Sequence, residues 1–221
     1  MVDAAYHIPG RKSVYIWSGR QYARIDFEPG GTEEHLVSGP RSIASGWTTM
    51  AEKGVGRVDA VVPVPGHKDQ LYVFFGGKYL KIKLDDKLHD SFVNKDALPI
   101  SHGWKALAKA GFDTVDAAML VPGTTTQMYF FRGLNYLRWD NDKDEILNGP
   151  SPIKDGWPAL AASGFDVVDA VFAHPEYDDV FYFFHGDKYA RIKVDRSSRH
   201  DSIYSAAKPI SAGWKTLDGW V

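Results

Sequence analysis

Tyr182–Lys193 reads Y-F-F-H-G-D-K-Y-A-R-I-K, and on its own it specifies a β-hairpin. Tyr182, Phe183 and Phe184 are strand formers, Gly186-Asp187 supplies a turn, and Tyr189 to Lys193 gives a second strand. The pattern occurs three more times. Tyr15–Asp26 reads Y-I-W-S-G-R-Q-Y-A-R-I-D, Tyr72–Lys83 reads Y-V-F-F-G-G-K-Y-L-K-I-K, and Tyr129–Asp140 reads Y-F-F-R-G-L-N-Y-L-R-W-D. A repeat of this size is one supersecondary unit that cannot bury its apolar surface alone, so the repeat decides the architecture.

Each copy opens on Val-Asp-Ala: Val2-Asp3-Ala4, Val58-Asp59-Ala60, Val115-Asp116-Ala117 and Val168-Asp169-Ala170. The aspartates are 56, 57 and 53 residues apart. Turns rich in Pro, Gly or charge follow, as in Ile8-Pro9-Gly10-Arg11 and Val64-Pro65-Gly66-His67. In the second hairpin strand Tyr189, Arg191 and Lys193 share one face and Ala190 and Ile192 the other, the alternation of a half-buried strand. Its basic residue recurs at Arg24, Lys81, Arg138 and Arg191. Variable polar stretches such as Glu28–His35 and Asp85–Asp96 read as loops. Each copy ends on Gly-Trp, at Gly46-Trp47, Gly103-Trp104, Gly156-Trp157 and Gly213-Trp214. Ser101, Asp155 and Ser211 are placed to cap a short helix there. Trp104 with Leu107, Trp157 with Leu160 and Trp214 with Leu217 are three apart and share one helical face. Trp220 is placed to close the last contact.

A unit of about 55 residues suits three or four short strands and a helical turn. Four such units closing radially make an all-β, four-bladed β-propeller with one short helix per blade, which leaves only short protected edges. A linear solenoid would need polar capping repeats, and the first and fourth copies are no more polar than the others. Residues 1–221 therefore read as a single propeller, with blades at about 1–54, 55–111, 112–164 and 165–221.

Composition removes several function classes. The net charge of −2 argues against nucleic acid held by general electrostatics. With no cysteine there is neither a disulfide framework nor a thiolate metal site. No apolar run approaches the roughly 18 residues of a membrane span, so no membrane partner is expected. The simplest localisation is cytoplasmic or otherwise intracellular, and secreted if a signal peptide has been removed. Gly-x-Ser-x-Gly, a phosphate-cradling Gly-rich loop before a helix, and His-Glu-x-x-His are all missing, so no enzyme is expected.

The sharpest chemical feature is the four aspartates at one repeat position, Asp3, Asp59, Asp116 and Asp169. If the closed ring brings them together they attract a cation or a polyamine; otherwise each holds a neighbouring strand or turn. Arg24, Lys81, Arg138 and Arg191 form a second ring, pair with the aspartates, or bridge blades. The eight histidines show no close metal-ligand spacing. Trp17 and Trp139 depart from the repeat pattern; each is either core or an exposed aromatic face for a sugar, with Arg20, or with Asp140 and Asn141, beside it.

Taken together, Val-Asp-Ala, Tyr-Phe-Phe-x-Gly-x-x-Tyr-x-Arg and Ile-x-x-Gly-Trp resemble the hemopexin repeat over essentially the whole chain. Gln21–Gly30, and Leu36–Pro40 echoed by Ile146–Pro150, are most similar to the hemopexin-type seed albumins of legumes and related stand-alone lectins. The resemblance implies a four-bladed propeller whose innermost strands carry Val-Asp-Ala around a central channel. It also implies calcium or sodium ringed there by main-chain carbonyls, at Asp3, Asp59, Asp116 and Asp169 and at Ala5, Val61, Ala118 and Val171 two residues on. Similar albumins are associated with polyamine, carbohydrate and heme. For this chain that implies a small ligand, with Arg24, Arg138, Arg191, Trp17 and Trp139 as candidate contacts. Heme lies between two propellers in the animal protein, so one propeller would need a homodimer or another pocket. A protein–protein interaction module, as in metalloprotease hemopexin domains, is the alternative. Many relatives join first and last blades by a disulfide; without cysteine, closure here must come from packing between Val2 and Trp214–Val221.

Overall fold

A computed structural model describes residues 1–30 and 33–221. Its strands form four antiparallel sheets in chain order. The first is β1 (Ala4–His7), β2 (Ser13–Ser18), β3 (Gln21–Phe27) and β4 (Glu34–Ser42). The second is β5 (Ala60–Pro63), β6 (Gln70–Phe75), β7 (Lys78–Leu84) and β8 (Asp90–Phe92), with β9 (Leu98–Pro99) also pairing β7. The third is β10 (Ala117–Leu120), β11 (Gln127–Arg132), β12 (Asn135–Asp140) and β13 (Glu145–Pro152). The fourth is β14 (Ala170–Ala173), β15 (Val180–His185), β16 (Lys188–Val194) and β17 (Asp201–Pro209). Inner strand β1 adjoins β5 and β14, and β10 adjoins the same two, so the four sheets close a ring around one axis. The architecture is a four-bladed β-propeller.

The hairpin that decides the fold forms as its residues dictate. Phe184 pairs with Tyr189, Phe183 with Ala190 and Tyr182 with Arg191. His185 pairs with Lys188, which leaves a two-residue turn whose Gly186 has φ 57°. A tight turn between twisted strands needs this left-handed backbone, open to glycine at little cost.

Alternation along these strands feeds two cores at once. Tyr15 and Trp17 pack toward the second sheet, while Val14 and Ile16 pack toward the fourth. Each gap between neighbouring blades becomes an apolar cluster, and each receives one Gly-Trp indole: Trp47, Trp104, Trp157 or Trp214.

Two expectations change. Each of the first three blades carries two helical segments rather than one: α1 (Ile43–Gly46) and α2 (Thr48–Glu52), α3 (Ile100–Gly103) and α4 (Lys105–Lys109), α5 (Ile153–Gly156) and α6 (Pro158–Ala162). The last blade has α7 (Ile210–Gly213) and a 3₁₀ turn at Lys215–Leu217. The buried tryptophan between them takes extended backbone, as at Trp47 (φ −124°, ψ 96°), and breaks the helix. Ser101, Asp155 and Ser211 consequently lie inside the first segment; the residues before it are Pro99, Pro152 and Pro209, and no side chain caps it. Outer strands also occupy part of what reads as loop: β4 begins within Glu28–His35 and β8 within Asp85–Asp96. Residues 31 and 32 of the first stretch lie outside the described residues.

Candidate functional site

Asp3, Asp59, Asp116 and Asp169 each stand immediately before an inner strand. Their main-chain N–H groups donate to Trp17, Phe74, Phe131 and Phe184 carbonyls, all at 2.9 Å. Their carboxylates then reach along the sheet to the hairpin turn. The N–H of Gly19 donates to Asp3 Oδ2 at 2.6 Å, Gly76 to Asp59 at 2.5 Å, Gly133 to Asp116 at 2.6 Å and Gly186 to Asp169 at 2.6 Å. One oxygen of each aspartate therefore clamps its own blade.

The other oxygens share a channel mouth. A cavity of about 130 Å³ is lined by Met1, Asp3, Arg57, Asp59, Asp116 and Asp169. Arg57 Nη2 donates to Asp3 Oδ1 at 2.9 Å, and its Nε lies 3.6 Å from Asp59 Oδ1. Oδ1 of Asp116 and of Asp169 has no hydrogen-bond partner among the described residues. His185 Nδ1 lies 3.4 Å from Asp169 Oδ2. Burial pushes the Asp59 carboxyl up; Asp116 and Asp3 push the same way, against the Gly76 N–H and Arg57. Four carboxylates thus face one guanidinium in a partly desolvated funnel, which concentrates negative potential.

Deeper in, the channel turns apolar. Ala5, Val61, Ala118 and Val171 are buried, and their layer leaves no volume for a water molecule. Beyond it lies a cavity of about 60 Å³ lined by Tyr6, His7, Pro63, Met119, Leu120 and Phe172 among others.

The side chains do not fit a metal ion: among the described residues no three His, Asp or Glu side chains gather closely enough to hold one. Neither His7 nor His174 is placed to hold a heme. His7 Nε2 is engaged at 2.7 Å with the Arg11 carbonyl, and the cavity of about 60 Å³ beside it is too small for a porphyrin. His174 is 4% exposed, lying against Tyr182 with ring centroids 5.6 Å apart.

The remaining sequence candidates lie elsewhere. Arg24, Lys81, Arg138 and Arg191 pair across the sheet with Tyr15, Tyr72, Tyr129 and Tyr182. They do not join the aspartates, and none forms an ion pair among the described residues. Arg191 lies over the rings of Tyr182 and Tyr204, at 5.8 and 5.2 Å, in a cleft beside Glu28, Glu33 and Glu34 of the first blade. Trp17 and Trp139 are 0% and 2% exposed, which removes both as sugar platforms. Trp17 packs with Tyr15 and Trp47; Trp139 stacks on Trp104 at 5.0 Å and donates to Asp144 at 2.9 Å. Aligning the repeats exposes the reason. Trp17 occupies the position of Phe74, Phe131 and Phe184, and Trp139 that of Ile25, Ile82 and Ile192, all fully buried.

Arg57 is the mouth residue that the repeat did not single out. Its signal was its singularity: it precedes Val58, where the other copies have Met1, Thr114 and Val167.

No protein-family model matches the chain. It is 24% identical to Albumin-2 of Pisum sativum over 229 residues, covering 99% of this chain and 93% of the relative. Among solved structures, a plant albumin from Cicer arietinum showing hemagglutination superposes with a TM-score of 0.90 at 21% identity, covering 100% of this chain and 98% of that one. A plant lectin with two metal binding sites, also from Cicer arietinum, superposes with a TM-score of 0.89 at 22% identity, covering 100% and 98%. The proteins that this chain resembles over its whole length are thus hemopexin-like seed albumins, and the fold is theirs.

Proposed function

We propose that the chain is a non-enzymatic ligand-binding protein whose channel mouth takes an organic polycation of the polyamine type. The observation that carries this reading is the aspartate quartet, in which Oδ2 is committed to the hairpin while Oδ1 of Asp116 and Asp169 stays unpartnered among the described residues. A compact divalent ion wants several oxygens converging at about 2.3–2.6 Å. A polyamine spreads its ammonium groups along a chain and suits separated carboxylates. Arg57 is then an internal competitor that occupies the Asp3–Asp59 half of the mouth. Calcium or sodium in the channel fits this reading only through main-chain carbonyls.

Calorimetric titration with spermine tests it. The wild-type chain binds; Asp116→Asn with Asp169→Asn weakens binding at least tenfold; Arg57→Ala tightens it about three- to tenfold by removing a like charge. Loss of spermine binding in none of these variants, or no binding at all, rejects the mouth. Calcium titrated in parallel separates a carbonyl-held ion, whose affinity Asp116→Asn leaves nearly unchanged.

The hemagglutination stated for the Cicer arietinum albumin supports a second, lectin-like reading. It requires multivalency, which a homodimer would supply. Hemagglutination inhibited by a simple sugar supports it, and a monomer that agglutinates nothing counts against it.

A further inference from the structure

A cavity of about 490 Å³ lies away from the acidic mouth, between the first two blades. Its floor is Tyr6, Ile8 and Leu84, all buried, with half-buried Leu88 at its side. Its rim carries Arg11, Lys68, Asp69 and Asp86. Arg11 is already used, its guanidinium donating to the Asp86 carbonyl. The carboxylates of Asp69 and Asp86 have no hydrogen-bond or ion-pair partner among the described residues.

The fourfold repeat shows what such a space accommodates. Between the third and fourth blades the equivalent gap is filled. Arg199 occupies the position of Leu88, and both have the same rare left-handed backbone, φ 66° and 67°. Each precedes a His-Asp pair, His200-Asp201 and His89-Asp90. Arg199 Nη1 donates to the Pro122 carbonyl at 2.7 Å. Arg196 pairs with Asp178, and its stem lies against Gly123. The counterpart of Pro122 beside the open groove is Pro9, whose carbonyl receives no hydrogen bond among the described residues. The open groove thus keeps the acceptor and the acidic rim, but its own loop supplies Leu88 in place of the arginine.

We infer that the groove between the first two blades binds an alkylguanidinium group, the end of an arginine side chain or a small guanidino compound. The aliphatic stem lies on Ile8, Leu84 and Leu88. The planar head donates to the Pro9 carbonyl and to Asp69 or Asp86, as Arg199 donates to Pro122 inside the molecule. Lysine fits less well, because its compact ammonium lacks the planar fork of donors with which a guanidinium engages two acceptors at once.

The test is an amide-shift titration of the ¹⁵N-labelled full chain. The probes are agmatine and a capped tripeptide with a central arginine. Both should move the amides of Asp69, Leu84 and Leu88 saturably. Tighter binding of the tripeptide places the ligand on a protein; tighter binding of agmatine places it among free guanidino compounds. Leu88→Arg supplies the missing group from within and should abolish these shifts while keeping the wild-type melting temperature. Asp69→Asn, an exposed change that leaves folding intact, should weaken binding at least fivefold. Asp116→Asn with Asp169→Asn should leave the groove response in place, so failure at the mouth and failure at the groove are seen separately. Shifts confined to the mouth, no shifts at all, or groove shifts that survive both Leu88→Arg and Asp69→Asn overturn the inference.

Discussion

The two oxygens of each channel aspartate have separate tasks, and substitution separates them. Asp116→Asn keeps an acceptor for the Gly133 N–H, whereas Asp116→Ala leaves that donor unpaired. Urea unfolding should show Asp116→Ala less stable by about 1–2 kcal/mol and Asp116→Asn nearly unchanged. Spermine binding should fall in both. Glycine before each Gly-Trp tryptophan has an equally local cause: a Cβ at Gly46, Gly103, Gly156 or Gly213 would overlap the hydroxyl of Tyr22, Tyr79, Tyr136 or Tyr189. Gly156→Ala should cost about 2 kcal/mol in the same assay. The pairing of Gly with Trp was legible in the repeat, but the tyrosine that enforces it comes from the hairpin of the same blade and shows only in three dimensions.

His174 supplies a pH dependence at this scale. Burial, helped by Arg191 and His7, lowers its pKa to about 4, from an ordinary 6.5. The unfolded chain therefore takes up the proton first. Its contribution to stability is intact above about pH 6.5 and is lost as pH falls toward 4, by roughly 3 kcal/mol. Melting temperatures of wild type and His174→Phe across this range check it, since the variant should lose that slope. Asp59 acts with the opposite sign. Its raised pKa makes the folded state hold its proton more tightly, so stability rises as pH falls through that value.

At the scale of elements, acidic residues that begin outer strands cap helical segments of the preceding blade. Asp90 of β8 accepts from the N–H groups of Thr48 and Thr49 at 3.0 and 2.6 Å. Asp201 of β17 accepts from Ala159 at 2.8 Å, and Glu34 of β4 from Thr216 at 2.7 Å. Asp90→Ala should destabilise by about 1–2 kcal/mol, while Asp86→Ala a few residues away should be near neutral. The hairpins were legible because half-burial writes alternation into their residues. The outer strands were not, because an edge strand with most residues in water, such as β13 with its Asn148-Gly149-Pro150, needs no apolar period. The tryptophan that interrupts each helical pair was visible as a residue; its break in the helix was not, since packing between blades sets its backbone.

For the whole molecule, closure without cysteine is the feature that composition foretold and packing explains. Val2, Ile16, Ile25 and Phe27 of the first blade share a core with Phe172, Tyr182, Trp214 and Leu217 of the last, and Trp220 and Val221 pack on it. Trp220 Nε1 donates to Gln21 at 3.0 Å, and the Glu34–Thr216 bond joins the same two blades. Trp214→Ala should cost about 3–5 kcal/mol. Hydrogen exchange should then quicken most in β2 and β15, which flank the seam, and least in β6 and β11. The propeller could be read from repetition, and the convergence of its four aspartates from the family resemblance. Arg57 and the open groove could not, because each is a departure in one blade whose meaning depends on which blade faces it.

Calorimetry of spermine on three chains decides whether the acidic mouth is a cation site. Wild type should bind one spermine, Arg57→Ala should bind it several-fold more tightly, and Asp116→Asn with Asp169→Asn should lose at least tenfold in affinity. Equal affinity in all three chains would reduce the aspartates to clamps on their own hairpins.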